Sequence, residues 1–133
     1  TAGLLYMHKY EITDGPRGGQ DLNFTADWSG NLGAMWVLPV GDGGFYVRAD
    51  YIFMDDHITG QSAFVVPPEQ IDDRELLNAK IGWRNENWNV SLWGENLTDD
   101  EYSHWNPGMG ISGASGYFLS PPRTYGATLR YDF

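Results

Sequence analysis

The amino-acid sequence predicts an all-β fold, an antiparallel up-and-down meander of about six strands. Three observations predict this class. Apolar and polar side chains alternate along several stretches, which is the period of a β-strand, and helical periodicity is nearly absent. Seventeen Gly and seven Pro in 133 residues indicate many turns and few long helices. The alternating stretches are joined by short and long connections in turn.

The six predicted strands follow one another along the chain. The first is residues 2–10, whose sequence does not show which side chains share a face. The other five are residues 31–39, 45–54, 76–84, 88–96 and 122–133, the last running to the final residue. The predicted apolar faces comprise Leu32, Ala34, Trp36 and Leu38; Phe45, Val47, Ala49, Tyr51 and Phe53; Leu77, Ala79, Ile81 and Trp83; Trp88, Val90 and Leu92; and Tyr125, Ala127, Leu129, Tyr131 and Phe133.

Two of the connections are tight hairpin turns. Residues 40–44 (VGDGG) join the second and third strands, and residues 85–87 (NEN) join the fourth and fifth. Gly and Asn are favoured there because they adopt positive φ at low cost. The other connections are long, at roughly residues 11–30, 55–75 and 100–121. Because short and long connections alternate, we expect all short turns at one end of the sheet and all long loops at the other.

The composition argues against several function classes. The formal net charge of −10 disfavours nucleic-acid binding, since no basic patch is available to meet phosphates. The absence of cysteine excludes disulfides and thiolate metal sites. No apolar run is long enough for a transmembrane helix. No signal peptide is visible, and we expect either that it was removed or that the protein begins upstream of Thr1.

A two-faced sheet with short turns opposite long loops is typical of an outer-membrane β-barrel wall. In such a wall the apolar face contacts lipid and the charged face lines a wet lumen. The predicted lumen residues are Arg48, Asp50, Lys80, Arg84, Glu95 and Arg130. Aromatic side chains at the short-turn rim are predicted to be lipid-facing and to form a girdle at the membrane interface. This girdle comprises Phe45, Trp83, Trp88, Tyr131 and Phe133.

Two segments resemble the C-terminal end of the TonB-dependent outer-membrane receptors. They are residues 76–102 (LLNAKIGWRNENWNVSLWGENLTDDEY) and residues 121–133 (PPRTYGATLRYDF), of which NLTDDEY and PRTYG…LRYDF are the most specific pieces. Residues 27–53 (DWSGNLGAMWVLPVGDGGFYVRADYIF) are similar to earlier hairpins of the same barrels. The resemblance covers essentially the whole chain and is more convincing from Asp27 onward.

The resemblance implies that residues 1–133 are the C-terminal segment of a barrel of about 22 strands, with the plug domain and earlier strands absent. Such receptors actively transport a scarce nutrient, such as an iron–siderophore complex, cobalamin or an oligosaccharide. The implied location is the outer membrane of a Gram-negative bacterium. The implied partners are outer-membrane lipid, the barrel-assembly machinery, TonB through the missing plug region, and a small-molecule substrate. No cofactor, nucleic-acid partner or enzymatic activity is expected.

The last strand resembles the signal that the barrel-assembly machinery reads by strand addition at an open edge. The matching residues are Thr124, Gly126, Leu129 and Tyr131, with Phe133 beyond them. The alternative is an ordinary edge strand with the same alternation.

The candidates for extracellular ligand contacts are aromatic and histidine side chains in the long loops, because rings bind sugars and planar chelates with little loss of entropy. They are Phe64, Tyr102, His104, Trp105 and Tyr117. The alternative is that these rings pack against neighbouring loops. The acidic and histidine groups at residues 55–57, 72–73 and 99–101 are interpreted as solvated loop charge, so no metal site is predicted. No catalytic triple can be assembled by spacing.

Two other architectures remain open from the sequence. A soluble lipocalin-like ligand-binding barrel would place the charged face outside and enclose an apolar pocket. A small porin-like barrel would form by oligomerisation of the chain. Six isolated strands would leave two edges with unpaired backbone groups. For the isolated chain we therefore expect a curved, open antiparallel sheet that is unstable or aggregates.

Overall fold

The computed structural model describes residues 1–7, 11–15, 18–19, 22, 25–59, 69–105 and 118–133. Within these residues the protein is all-β and contains no helix, as the sequence predicts. The strands are β1 (Ala2–Tyr6), β2 (Trp28–Val40), β3 (Gly43–Met54), β4 (His57–Thr59), β5 (Glu69–Ile71), β6 (Arg74–Arg84), β7 (Trp88–Glu95), β8 (Ser103–Trp105), β9 (Phe118–Leu119) and β10 (Thr124–Tyr131).

Six strands form one antiparallel sheet in the order β1-β2-β3-β6-β7-β10. Each strand of this sheet lies beside its neighbour in the chain, apart from the two small hairpins β4–β5 and β8–β9. The predicted six-stranded up-and-down meander is therefore confirmed. Strands β1 and β10 lie at the two outer edges, and the described part of the chain does not close into a barrel.

The register places apolar residues opposite apolar residues across the sheet. One row runs from Leu38 to Phe45, Trp83, Val90 and Leu129 on five successive strands. Because antiparallel partners point to the same side and successive residues alternate, this row defines one continuous apolar face. The predicted faces of β2, β3, β6, β7 and β10 are confirmed.

The facing of the first strand, which the sequence did not show, follows from its pairing with β2. Leu4 lies opposite Gly30 and Tyr6 lies opposite Trp28. Gly30 in turn lies opposite Phe53 of the apolar face. Leu4 and Tyr6 therefore extend the apolar face to the outer edge of the sheet.

Several predicted strand ends are wrong by a few residues. The last strand ends at Tyr131 and not at Phe133, because the chain runs beyond the end of β7, whose first residue is Trp88. Asp132 still donates its backbone N–H to the Asn87 carbonyl at 2.8 Å, but Phe133 lies outside the strand. β2, β3 and β6 begin two or three residues earlier than predicted, since their first residues pair through the backbone without an apolar alternation.

The short turns lie together at one end of the sheet, as predicted. Gly41 and Asp42 join β2 to β3, and Gly41 has a positive φ of 62° that glycine adopts without strain. In the second turn the Asn85 side-chain oxygen accepts hydrogen bonds from the backbone N–H groups of Asn87 (3.1 Å) and Trp88 (2.7 Å). The Asn85 amide also donates to the Asp42 carboxylate at 3.3 Å, which links the two turns.

The long connections at the other end contain strands that the sequence did not predict. β4 pairs with β5 and β8 pairs with β9, each as a hairpin of two or three residues per strand. Such short strands carry too few residues for alternation to be recognised.

Ile71 and Tyr102, at the base of these hairpins, are buried. With Tyr46 they are the buried hydrophobic side chains of the described residues, so the sheet itself covers no core.

The segment NLTDDEY, which carries part of the family resemblance, begins with a hydrogen-bonded turn after β7. Asn96 is buried and has a positive φ of 52°. Its side-chain amide donates to the carbonyl oxygens of Asp100 (2.9 Å) and Pro121 (3.2 Å). Its side-chain oxygen accepts from the Asp100 backbone N–H (3.0 Å) and from the Thr98 hydroxyl (3.2 Å). Asn96 therefore joins the end of β7 to the segment that enters β10.

Replacing Asn96 with Ala should destabilise the protein by roughly 2–4 kcal/mol, because several buried hydrogen bonds are lost and a side chain is forced into a left-handed backbone conformation. Urea unfolding in detergent micelles, followed by far-UV circular dichroism, measures the change. Asp99→Gly is the matched control, since Asp99 also has a positive φ, of 60°, but is exposed and forms a surface ion pair with Arg123. Equal losses for the two variants would contradict the assignment of Asn96 as the anchor of this turn.

Candidate functional site

The apolar face is largely exposed, although it consists of large hydrophobic side chains. Trp36 is 58% exposed, Leu92 is 60% exposed and Leu129 is 67% exposed. The exposed members of this face are Leu4, Tyr6, Trp28, Leu32, Trp36, Leu38, Val40, Phe45, Val47, Ile81, Trp88, Val90, Leu92, Tyr125, Leu129 and Tyr131. A patch of this size on a folded chain indicates a surface that another apolar phase or molecule covers.

The five aromatic residues predicted for the short-turn rim lie at that rim. Phe45 is opposite Trp83, and Trp88 is opposite Tyr131. The ring centroids of Trp88 and Tyr131 are 4.6 Å apart, and Phe133 meets Tyr131 edge to face at 4.9 Å. These distances are those of favourable aromatic pairs. At this rim, three of the rings therefore pack in a row, and Phe45 and Trp83 are cross-strand partners beside them.

A second aromatic cluster, which the sequence analysis missed, lies at the long-loop end of the same face. The rings of Tyr6 and Trp28 are 4.2 Å apart, and those of Tyr51 and Phe53 are 6.3 Å apart. Its members are dispersed over three strands, and only the pairing of β1 with β2 brings Tyr6 to Trp28. Aliphatic residues fill most of the face between the two clusters.

The opposite face carries the charged residues that the sequence assigned to a lumen. Arg48 and Lys80 are direct cross-strand partners. The Arg48 guanidinium is held by Asp50 through two hydrogen bonds, at 2.6 Å from Nε and 2.9 Å from an Nη atom. Asp50 therefore offsets the repulsion between two adjacent cations. The predicted lumen residues share this polar face.

Arg84 and Arg130 lie near the short-turn end of the polar face. Arg84 is placed over the ring of Tyr46, 5.9 Å from its centroid, which is within the range of a cation–π contact. The Tyr46 hydroxyl donates to the Asn89 side-chain oxygen at 3.0 Å. Arg130 pairs with Asp132 at 2.8 Å. Near the short turns, the polar face thus has a cation–π contact, a hydrogen bond and an ion pair of its own.

Trp93 is an aromatic residue on the polar face whose position the sequence did not explain. It lies opposite Gly126, and a Cβ atom at Gly126 would come within 2.5 Å of the Trp93 ring. The indole N–H donates to the Thr128 hydroxyl at 3.2 Å. Trp93 therefore packs against β10 at Gly126, the one position of that strand that has no side chain.

The predicted ligand-contact residues fall in different environments. Tyr102 is 8% exposed and the Arg74 guanidinium lies 5.1 Å from its ring centroid, so the ring packs within the loop base. His104 and Trp105 belong to β8 through their backbone. Phe64 and Tyr117 lie outside the described residues. In the part of the chain that the structure describes, no three His, Asp or Glu side chains converge as metal ligands.

The predicted insertion-signal residues lie on the outer strand β10, except Phe133, which follows it. Thr124 and Gly126 belong to the polar face, whereas Leu129 and Tyr131 belong to the apolar face. β10 pairs with β7 along one edge, and no described strand pairs with its other edge. The free edge is available for pairing with another strand.

Comparisons with protein-family models, with curated proteins and with solved structures find no match to this chain. In the described residues, no helix is long and apolar enough to cross a membrane.

Replacing Gly126 with Ala should destabilise the protein by about 1–3 kcal/mol, because the added methyl overlaps the Trp93 ring. The atoms nearest to the position of that methyl all belong to the Trp93 side chain, so Trp93→Ala should suppress most of this loss. Urea titration of the four members of the double-mutant cycle, in detergent and followed by circular dichroism, measures the coupling. Additive losses in the double variant would show that Gly126 is required for another reason.

Proposed function

We propose that this chain is the C-terminal part of a TonB-dependent outer-membrane receptor, contributing six strands to its transmembrane β-barrel. The observation that carries the proposal is the exposed apolar face bounded by an aromatic cluster at each end. Lipid covers such a face in a membrane barrel, and rings concentrate at its two interfaces with water.

The spacing of the two aromatic clusters supports this proposal. Leu38, which is the cross-strand partner of Phe45, lies ten residues after Trp28 along β2. At about 3.3 Å per residue this is roughly 33 Å along the strand. A strand tilt of about 40° reduces it to roughly 25 Å along the membrane normal, which is the height of the apolar band of such barrels. The lengths of β2, β3 and β6, which are 13, 12 and 11 residues, are also sufficient to cross.

The free edges of the sheet support membership in a larger barrel. β1 and β10 each leave a row of backbone groups that no described strand pairs with. In hydrocarbon each unpaired N–H or C=O group costs several kcal/mol. A membrane-embedded form of this sheet therefore requires further strands to close it. In the proposed receptor these strands, and the plug through which TonB acts, belong to the rest of the protein.

The proposed activity is energised uptake of a scarce nutrient, such as an iron–siderophore complex, cobalamin or an oligosaccharide. The polar face would line the lumen, and the long-loop end would face the exterior. The strand β10 would carry the insertion signal for the barrel-assembly machinery, since it combines a free edge with one apolar and one polar face. The proposal includes no enzymatic activity.

Two alternatives are less well supported by the geometry. A lipocalin-like barrel would close the sheet around its apolar face, whereas the described strands form an open sheet in which that face is exposed. A porin-like oligomer would join β10 of one copy to β1 of the next. That assembly would run in detergent as stable multimers that shift on heating.

Immunoblotting of the source organism's outer-membrane fraction, with an antibody against residues 100–121, tests whether the chain is part of a larger protein. We expect a carbonate-resistant band several times heavier than 15.0 kDa, because the six strands require the rest of a barrel. A band at the chain's own size, in the same membrane fraction, would show that six strands form a functional unit. A band confined to the soluble fraction would contradict the membrane assignment.

Single cysteines test the facing directly, since the chain has no native cysteine. Leu129 and Thr128 are neighbours on β10 and are both exposed, but on opposite faces. The two variants are therefore Leu129→Cys and Thr128→Cys. In outer membranes, a fluorophore at position 129 should be quenched by nitroxide-labelled lipid, and one at position 128 should instead be quenched by aqueous iodide. The same quenching at both positions would contradict a two-faced membrane wall.

A further inference from the structure

A groove on the polar face has the dimensions of a small-ligand site. It has a volume of about 340 Å³, and ligand sites generally measure roughly 300–1,000 Å³. Its lining includes Arg48, Asp50, Lys80, Trp93, Glu95 and Thr128, and we refer to it as the Trp93 groove. The side chains come from β3, β6, β7 and β10, so the sheet itself holds them in place.

Trp93 supplies the aromatic surface of this groove. Its ring lies against Gly126, and its indole N–H is hydrogen-bonded to Thr128 at 3.2 Å. Two independent contacts therefore restrict its rotamer. A ring that is already ordered loses little entropy when a ligand packs against it.

The charged groups around Trp93 balance one another. Arg48 and Lys80 are cations, whereas Asp50 and Glu95 are carboxylates, so their formal charges cancel. Arg48 and Asp50 form an ion pair with each other. Lys80 and Glu95 form no ion pair within the described residues. The groove therefore offers a free donor and a free acceptor beside an aromatic ring, with no net charge to favour an anion or a cation.

We propose that the Trp93 groove binds a neutral saccharide. The C–H face of a pyranose ring would pack on the indole, while its hydroxyl groups would accept from Lys80 and donate to Glu95. This inference rests on the proposed function, because it selects the oligosaccharide class among the nutrients that such a receptor could transport. An anionic ferric chelate would require an excess of cations, which the groove lacks.

Titration calorimetry tests the inference on the protein purified in detergent from whichever cell fraction contains it. Maltotriose and N-acetylchitotriose are the neutral probes, and citrate is an anionic probe. We expect at least one saccharide to bind and citrate not to bind. Trp93→Ala should weaken that binding by at least about tenfold, which is the scale of losing one stacked ring. Glu95→Gln, on an exposed side chain, should also weaken it without altering packing.

Trp36→Ala is the matched control, because Trp36 is also exposed but lies on the apolar face, and it should bind as the unaltered protein does. Binding of citrate alone, binding of none of the probes, or saccharide binding that is unchanged in both Trp93→Ala and Glu95→Gln would each overturn the inference. Membrane location is read separately by the fractionation experiment. A protein found in the outer membrane that binds no saccharide would refute the inference and leave the proposed function standing.

Discussion

Backbone pairing between antiparallel strands sets which side chains share a face, and every other feature of this chain depends on that register. It places Phe45 opposite Trp83 and, three residues further along β3, Arg48 opposite Lys80. A slip of one residue in one strand would move its apolar side chains among the charges. The two linked turns at Asp42 and Asn85 restrict such a slip, because each is two or three residues long and bonded to the other.

The fold was predictable from the sequence to the extent that it depends on local alternation. The faces of β2, β3, β6, β7 and β10 and the grouping of the short turns follow from period two and from Gly and Asn at the turns. The strand starts at Trp28 and Arg74 could not be predicted from alternation. The residues after them interrupt the apolar pattern, although their backbones still pair; these residues are Ser29, Gly30 and Glu75. Pairing depends on the neighbouring strand and not on the side chain alone.

The candidate site was less predictable, because its contacts join distant parts of the chain. The rim aromatics were found since Trp83 and Trp88 flank one turn. The second cluster was missed because Tyr6 and Trp28 meet only through the register of β1 with β2. The alternation of β7 places Trp93 on the polar face, but its role depends on Gly126, more than thirty residues away. An aromatic residue within an otherwise polar face indicates a specific packing contact, and the structure identifies Gly126 as the partner.

The presence of a glycine at position 126 has two possible physical explanations, which involve different edges of β10. A glycine within a strand costs roughly 0.5–1 kcal/mol relative to Ala, so its place in an outer strand requires a compensating gain. Recognition by strand addition would use the free edge of β10 and would not involve β7. Packing under the Trp93 ring uses β7 directly and covers the exposed backbone at that position. Because the packing contact joins β10 to the rest of the sheet, it also orders the strand whose free edge a partner would read. The two roles are therefore compatible, and the ring over Gly126 explains why the glycine stands on the polar face of β10 and not on its apolar side.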